Sequence, residues 1–435
     1  MLQRFCDYIN KQHLFSPEQE VLLAVSGGRD SVAMLHLMHR AGYSFAIAHC
    51  NFHLRPGDAE RDQDFVRRLA DTYGVPFHTI DFDTLSYASG HRLSVEEAAR
   101  VLRYDYFDRL ISTHGYNAVA TAHHADDSVE TFFLNLFRGT GIAGLHGIRP
   151  RSGHVVHPML CFSRSDINRY IESNRLEYVD DYTNTQTEAR RNRIRLQLMP
   201  LLRDIYPAVD QVMLGNIERL AETEQVFDSH IKALAARLIH PVKPSIPGLQ
   251  LPMWSISLDD IAALEPQRTL LFELLRPFGF NASTIDDLLS LMPEPRTGSL
   301  FQSPTHKMVV DRNRLLVAAE TSVAPPLLRH SILPPTRFAL PSSPSTIVVD
   351  ADAVRQPLSL RLWEPGDRFM PFGMNQFRLV SDYLSDIKLN RIEKAYLHLL
   401  VDADGRVVWV VGLRADNRFR ITATTRRLLE ITVVQ

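Results

Sequence analysis

Short apolar runs alternate with longer amphipathic stretches through the first half of the chain. Residues 21–25, 45–50, 76–82 and 118–122 read as buried strands, and 32–39, 60–73, 94–112 and 125–137 as helices. Strand and helix alternating in this way predict a parallel sheet wrapped by helices, with ligands at the carboxyl ends of the strands. After Pro207 the periodicity is helical through Ile239, and further helices are expected over 257–263 and 267–276. Pro325, Pro326, Pro334, Pro335, Pro341 and Pro344 crowd residues 322–344, too many for regular structure, so a linker is expected there. Beyond it, strands at 358–362, 397–401 and 407–411 flank one helix near 379–387. The predicted order is an α/β domain over 1–210, a helix-rich domain over 211–330, a linker over 331–348 and a small α+β domain over 349–435.

Bulk properties narrow the setting. At 435 residues, 45% of them hydrophobic and 23% charged, the chain has ordinary globular composition and room for two or three domains. Cys6, Cys50 and Cys161 lie far apart, indicating neither a disulfide framework nor a zinc cluster. Asp7, Lys11 and His13 interrupt the stretch a signal peptide would need unbroken, and no run reaches membrane-spanning length. A cytoplasmic protein with no membrane partner is expected; a homodimer is left open. The formal net charge of −2 argues against sequence-blind polyanion binding, so nucleic acid would have to meet local patches. Arg190, Arg191, Arg193 and Arg195 form one patch, and the last 85 residues form another, although solvated helix faces commonly look the same.

Two segments carry candidate chemistry. The first strand runs into Ser26-Gly27-Gly28-Arg29-Asp30-Ser31 and then a helix. Two glycines allow a tight turn and close approach of an anion, while serine hydroxyls and helix N-terminal amides supply donors. The loop lacks the lysine of a Walker motif, and on spacing alone a serine-capped turn explains it equally well. In the second segment, Ala122-His123-His124-Ala125-Asp126-Asp127-Ser128-Val129-Glu130-Thr131, residues His123, Asp127 and Glu130 share a helical face. Such a set can hold magnesium, bind an ammonium group or accept a proton; a solvated acidic helix start is the alternative.

Both segments resemble known motifs. SGGRDS resembles the SGGxDS pyrophosphate loop of the N-type ATP pyrophosphatases, and residues 123–148 resemble the HHxDDxxET…RGxGxxGL signature of the tRNA(Ile)-lysidine synthetases. The resemblance implies a Rossmann-like PP-loop domain using ATP and Mg2+. Ser26, Gly27, Gly28, Arg29, Asp30 and Ser31 would then bind the nucleotide, and Asp30 and Asp127 the metal. It further implies His123, Asp127 and Glu130 in catalysis, and Arg138, Gly139, Gly141 and Gly144 in a loop over the site. The implied partners are free L-lysine and a tRNA(Ile) with a CAU anticodon. Arg191-Asn192-Arg193-Ile194-Arg195 resembles the family's RNxIR, which implies Asn192 and Arg195 near the transferring phosphate.

Weaker matches extend this. Residues 49–55 resemble HxNHxLR, with Phe52 in place of the second histidine; His49 is either functional or a satisfied strand-end residue. Arg100, Arg103 and Tyr104 fit ARxxRY, and Asp181, Thr183 and Asn184 fit a D-x-S/T-N turn with Tyr182 where the family has proline. Residues 363–373 resemble RxGDRFxPxG of the C-terminal domain, with Glu364 replacing an arginine and Arg378, Lys388, Arg391, Arg414, Arg418 and Arg420 nearby for RNA. A sulfur-transferring tRNA enzyme of the same superfamily would need paired cysteines, and a glutamine-dependent relative a glutaminase domain; neither is present. A non-catalytic RNA-binding protein is the remaining alternative.

Overall fold

The computed structural model describes residues 1–54, 58–179, 190–337 and 343–434. It divides into two compact units, Met1–Phe227 and Asp228–Gln435. Arg55, Asp181, Tyr182, Thr183 and Asn184, singled out above, lie outside the described residues.

The first unit contains α1 (Leu2–Lys11), β1 (Val21–Ala24), α2 (Arg29–Arg40), β2 (Phe45–Asn51), α3 (Asp58–Tyr73), β3 (Phe77–Asp81), α4 (Thr84–His91), α5 (Val95–His114), β4 (Ala118–Ala120) and α6 (Ala125–Arg138). It continues with β5 (Arg151–Ser152), β6 (Val155–Val156), α7 (Arg164–Asn174), α8 (Arg190–Arg193), α9 (Met199–Ile205) and, as far as Phe227, α10 (Val209–Leu238). A π-helical turn, Ile194–Leu198, joins α8 to α9. The six strands lie in the order β3-β2-β1-β4-β6-β5, all parallel except the β5–β6 pair.

Successive side chains of a strand point to opposite faces, and the sheet uses both. Val21, Leu23, Val25, Phe45 and Ile47 pack under α1, α2, α3 and α7. Leu22, Ala46, Ala48 and Val119 pack against Tyr106, Phe107 and Leu110 of α5. Burial on both sides explains why the strands read as continuous apolar runs. The Ser94 capping box is realised, its side chain accepting from the Glu97 amide while Glu97 reaches back to the Ser94 amide.

In the second unit, helices Leu258–Ala262, Gln267–Leu275 and Ala282–Leu291 accompany an antiparallel sheet of five strands. That sheet is built from His240–Val242, Met253–Ser257, Leu300–Gln302, His306–Asp311 and Arg314–Ala319, and stands beside the expected helices. The C-terminal expectations fall within a residue or two of Ser359–Leu362, His398–Val401, Val407–Val410 and the helix Val380–Asp386. The linker reading needs correction. Leu327–Leu333 is a strand, paired residue for residue with Leu428–Val434, which also pairs with Thr346–Asp350. The neighbouring prolines fall outside it, so no ladder donor is lost. Among the described residues no helix is long and apolar enough to cross a membrane.

Leu23 is fully buried in the strand between β2 and β4. Leu23→Ala should destabilise the first unit by about 2–5 kcal/mol, measured as a lower urea midpoint at unchanged slope.

Candidate active site

The loop after β1 is shaped by glycine. Gly27 sits at φ +90°, and a Cβ there would come 3.3 Å from Val66 and 3.4 Å from Phe65 of α3. Gly28 caps α2 in extended conformation. The Ser31 hydroxyl donates to the Gly28 carbonyl at 2.8 Å; the Ser26 hydroxyl accepts from the Gly28 amide and lies 3.3 Å from that of Ser31. Both hydroxyls therefore gather beside the first-turn amides of α2, which have no carbonyl one turn back, an arrangement suited to phosphate oxygens. The Arg29 guanidinium is directed elsewhere. It donates to Asn168 at 2.8 Å and to the Tyr178 hydroxyl at 2.9 Å, and stacks on the Tyr178 ring. What Arg29 offers an anion is its main-chain amide.

The second segment starts α6 at the end of β4. Asp127 and Glu130 are buried there and meet Arg191 and Arg195. Arg195 donates to Glu130 at 2.6 and 2.9 Å and to Asp127 at 3.1 Å; Arg191 donates to Glu130 at 2.8 Å and to Asp127 at 3.2 Å. Two carboxylates and two guanidiniums thus balance charge out of bulk water, where an unpaired ion is costly. Burial works to raise the Asp127 carboxyl, but His124, Arg191, His123 and the His124 amide outweigh it and hold it below the usual carboxylate range.

His124 ties this cluster to the loop. Its imidazole is 1% exposed and makes no hydrogen bond, yet Asp127, Asp126 and Asp30 lie 3.4, 3.6 and 4.0 Å from its ring nitrogens. Arg164, at the start of α7, completes the connection. Its guanidinium pairs with Asp30, and its amide donates to Asp126 at 2.8 Å. Arg203 joins Asp126 to Asp210 of α10. Burial would raise the Asp126 carboxyl too, but His124, the Arg164 amide and Arg203 bring it down to about 2. Arg191 was not among the expected site residues, although it stands four residues before Arg195 in the same segment. Nor was Arg164, since Asp30 comes from another element; His124 was passed over although Asp126 and Asp127 follow it in the same segment.

His123 bonds Thr121 through Nδ1 at 2.9 Å and packs against His157, the ring centroids 5.1 Å apart. Burial first, then His157, Arg191 and Arg103, push its pKa down to about 4 against the opposing pull of Asp127. Phe52 now has a use. The Arg103 guanidinium lies 5.2 Å from its ring centroid, a cation–π contact, and Arg100 lies likewise over Tyr104. His49 donates through Nδ1 to the Val25 carbonyl at 2.9 Å, a strand-end histidine with that nitrogen satisfied. Gly139 ends α6 at φ +78°, and a Cβ on Gly144 would clash with Thr140. From the same loop, Arg149 reaches the buried Glu224 of α10 at 2.6 Å. A cavity of about 1380 Å³ lies beyond this cluster, between α1, α7 and α10. It is lined by Asp126, Arg164 and Arg203 but by none of the loop residues 26–31, His123, Asp127 or Glu130.

Fold and site together define a PP-loop protein, and the PP-loop domain family matches residues 2–202. The family of TilS substrate binding domains matches residues 252–320, and that of TilS substrate C-terminal domains residues 358–431. The chain is 40% identical to the tRNA(Ile)-lysidine synthase of Bacteroides thetaiotaomicron over 99% of both chains. Identity is 39% to that of Parabacteroides distasonis, over 97% of both, and 33% to that of Porphyromonas gingivalis, over 95% of this chain and 94% of the relative. The chain belongs to the tRNA(Ile)-lysidine synthase family.

The His123 shift fixes a pH dependence. Its folded pKa lies below the ordinary 6.5, so the unfolded chain binds the extra proton and stability falls as pH drops from about 6.5 towards 4. NMR of labelled histidine should find the His123 ring neutral at pH 5.5; a titration midpoint near 6.5 would contradict the burial described.

Proposed function

We propose that this chain ligates free L-lysine to C2 of the wobble cytidine of a tRNA(Ile) with a CAU anticodon, using ATP and passing through an adenylated cytidine. AMP and diphosphate are released. The observation that carries the reading is the meeting of the glycine loop with the Asp127–Glu130–Arg191–Arg195 cluster through His124 and Arg164, in a chain related over its whole length to tRNA(Ile)-lysidine synthases.

In this reading Ser26, Gly27, Gly28 and Ser31 hold the outer phosphates and leave the α-phosphorus open to the cytidine O2. The P–O bond to diphosphate breaks as the O2–P bond forms. AMP then becomes the leaving group at C2, displaced by the lysine ε-amine once that amine has passed a proton to solvent water. Asp127, held low and bonded by both arginines, is a poor proton acceptor and serves instead to fix charge. An entering ammonium meets two carboxylates already balanced by two guanidiniums, so it displaces the more exposed of these, Arg191, and leaves Arg195 in place.

Asp30 and Asp127 are the candidate magnesium ligands. Among the described residues no group of three or more histidine, cysteine or acidic side chains forms a metal cage. Magnesium is usually held by one or two carboxylates together with substrate phosphates and water. When bound, the ion would neutralise charge on the phosphates; Arg164 and His124 meanwhile orient Asp30. The cysteines argue against sulfur transfer. All three are free, and burial pushes the thiols of Cys50 and Cys161 up to about 12, far from a nucleophilic thiolate. An intact loop and charge cluster likewise disfavour a non-catalytic RNA binder. The substrates imply a cytoplasmic setting.

Labelled lysine should become covalently attached to a CAU-anticodon tRNA(Ile) transcript only with ATP and magnesium present, and Asp30→Ala should abolish the transfer. Equal labelling of a transcript with adenosine at the wobble position would refute the assigned target.

A further inference from the structure

Helix α10 buries a charge where its pattern calls for an apolar residue. Between Val209 and Phe227 its buried residues are Val209, Ile217 and Glu224, spaced eight and seven apart on one stripe of the helix. Glu224 is 4% exposed, while Glu222 and Val226 on either side of it face water. An apolar side chain would hold α10 at least as well, since a buried ion pair adds little net stability over well-packed hydrophobic residues. What a carboxylate adds is direction: it fixes where its hydrogen-bonding partners stand.

Those partners are Arg149 and His146, both in the loop that follows α6. Arg149 donates to Glu224 at 2.6 Å and, through Nε, to His146 Nε2 at 3.2 Å; that histidine nitrogen lies 3.6 Å from the second Glu224 oxygen. The carboxylate therefore grips the loop on both sides of Gly147 and Ile148, and these two residues bear directly on α6. The Ile148 amide donates to the Ser128 hydroxyl at 2.9 Å, and Gly147, at φ +64°, approaches so closely that a Cβ there would clash with the same hydroxyl. Ser128 stands between Asp127 and Glu130 in the first turns of α6. Beyond the grip, the Arg149 carbonyl accepts from His157 Nδ1 at 2.9 Å, and the His157 ring packs on His123.

We propose that Glu224 is a positioning residue for lysine transfer: it seats residues 146–149 against Ser128 and so fixes the turn that carries Asp127 and Glu130. The inference rests on the reading that these two carboxylates meet the entering ammonium. Glu224 touches no reacting group and acts through the loop. The nucleotide loop takes its shape elsewhere, Gly27 lying against Phe65 and Val66 and Arg29 being held by Asn168 and Tyr178. Diphosphate release and lysine transfer should therefore respond differently to the loss of Glu224.

The test compares variants of the full chain. Glu224→Leu continues the apolar stripe of α10 and should melt close to the unsubstituted protein, yet lose lysine transfer at subsaturating lysine by about tenfold to a hundredfold, mostly as a raised KM for lysine. Release of diphosphate from ATP with tRNA, in the absence of lysine, should keep its rate. Glu224→Gln, which still offers Arg149 an acceptor oxygen, should recover most of the transfer. Ser128→Ala cuts the same path at its far end and should show the same split, which keeps the test open should Glu224→Leu not fold. In the free protein, hydrogen exchange over residues 144–149 should quicken in Glu224→Leu and Ser128→Ala but not in Glu224→Gln. Unchanged transfer in Glu224→Leu or Ser128→Ala, an equal loss of diphosphate release, no recovery with Glu224→Gln, or unchanged exchange overturns the proposal. Because exchange is read without substrates, an unsubstituted chain that transfers no lysine would refute the ligation reading and leave the measurement of the loop standing.

Discussion

Balanced charge beneath the start of α6 is the constraint from which the first unit's chemistry follows. Asp127 and Glu130 are buried carboxylates that need opposite charge beside them, and the less buried Arg191 and Arg195 supply it. Satisfying all four requires the helical segment from Arg190 to Ile205 to dock on α6, and that docking brings Arg203 to Asp126 and Asp210. The same cluster surrounds His124, whose other neighbour is Asp30. A nucleotide loop and a polar cluster that are far apart in the chain are therefore held in one electrostatic unit. Pulling any member out exposes the rest to an uncompensated ion in a poorly solvated place.

How much of this could be read from the residues depends on whether the relevant partner is near in sequence. Strands β1, β2 and β4, buried on both faces, announce themselves as unbroken apolar runs, and the helices between them as periodic ones. Loop and cluster were legible as segments because glycine spacing and helical phase are local properties. Their linkage was not: Arg164 reaches Asp30 across the sheet's connections, and nothing in the composition around Ser163 points there. The strand Leu327–Leu333 reads as linker because prolines on either side dominate its surroundings, while its partner, Leu428–Val434, lies about a hundred residues away. The middle sheet escapes a sequence reading for a related reason, its strands being short and interrupted by helices. Arg29 shows the converse. The motif suggests a ligand side chain, whereas neighbours from α7 and Tyr178 claim the guanidinium and leave only its amide at the loop.

The second unit applies the same economy of buried polar groups to a different end. Asp416 and Asn417 have little solvent contact; Asp416 accepts from the Met370 amide, and Asn417 accepts from the Gly373 amide and donates to the Met374 carbonyl. Glu364, which departs from the family pattern, donates its amide to Asp367 and stays exposed, while Asp367 itself is clamped by Arg361. The turn therefore holds without the arginine at that position, and the positive charge of this region comes from Arg368, Arg378 and the residues after Leu413.

The π-helical turn between Arg193 and Met199 has an effect on which lengths of chain the site tolerates. An α-helix advances about 100° per residue, and the wider turn absorbs one extra residue without breaking the axis. Removing a residue from this stretch would let it relax to regular α-helix, rotating Arg191 away from Glu130 while the apolar contacts of α9 stayed seated. The reading frame of that helix, as much as the identity of its arginines, is thus under constraint, and chains of this family should admit exchange of residue type there far more readily than a change of length.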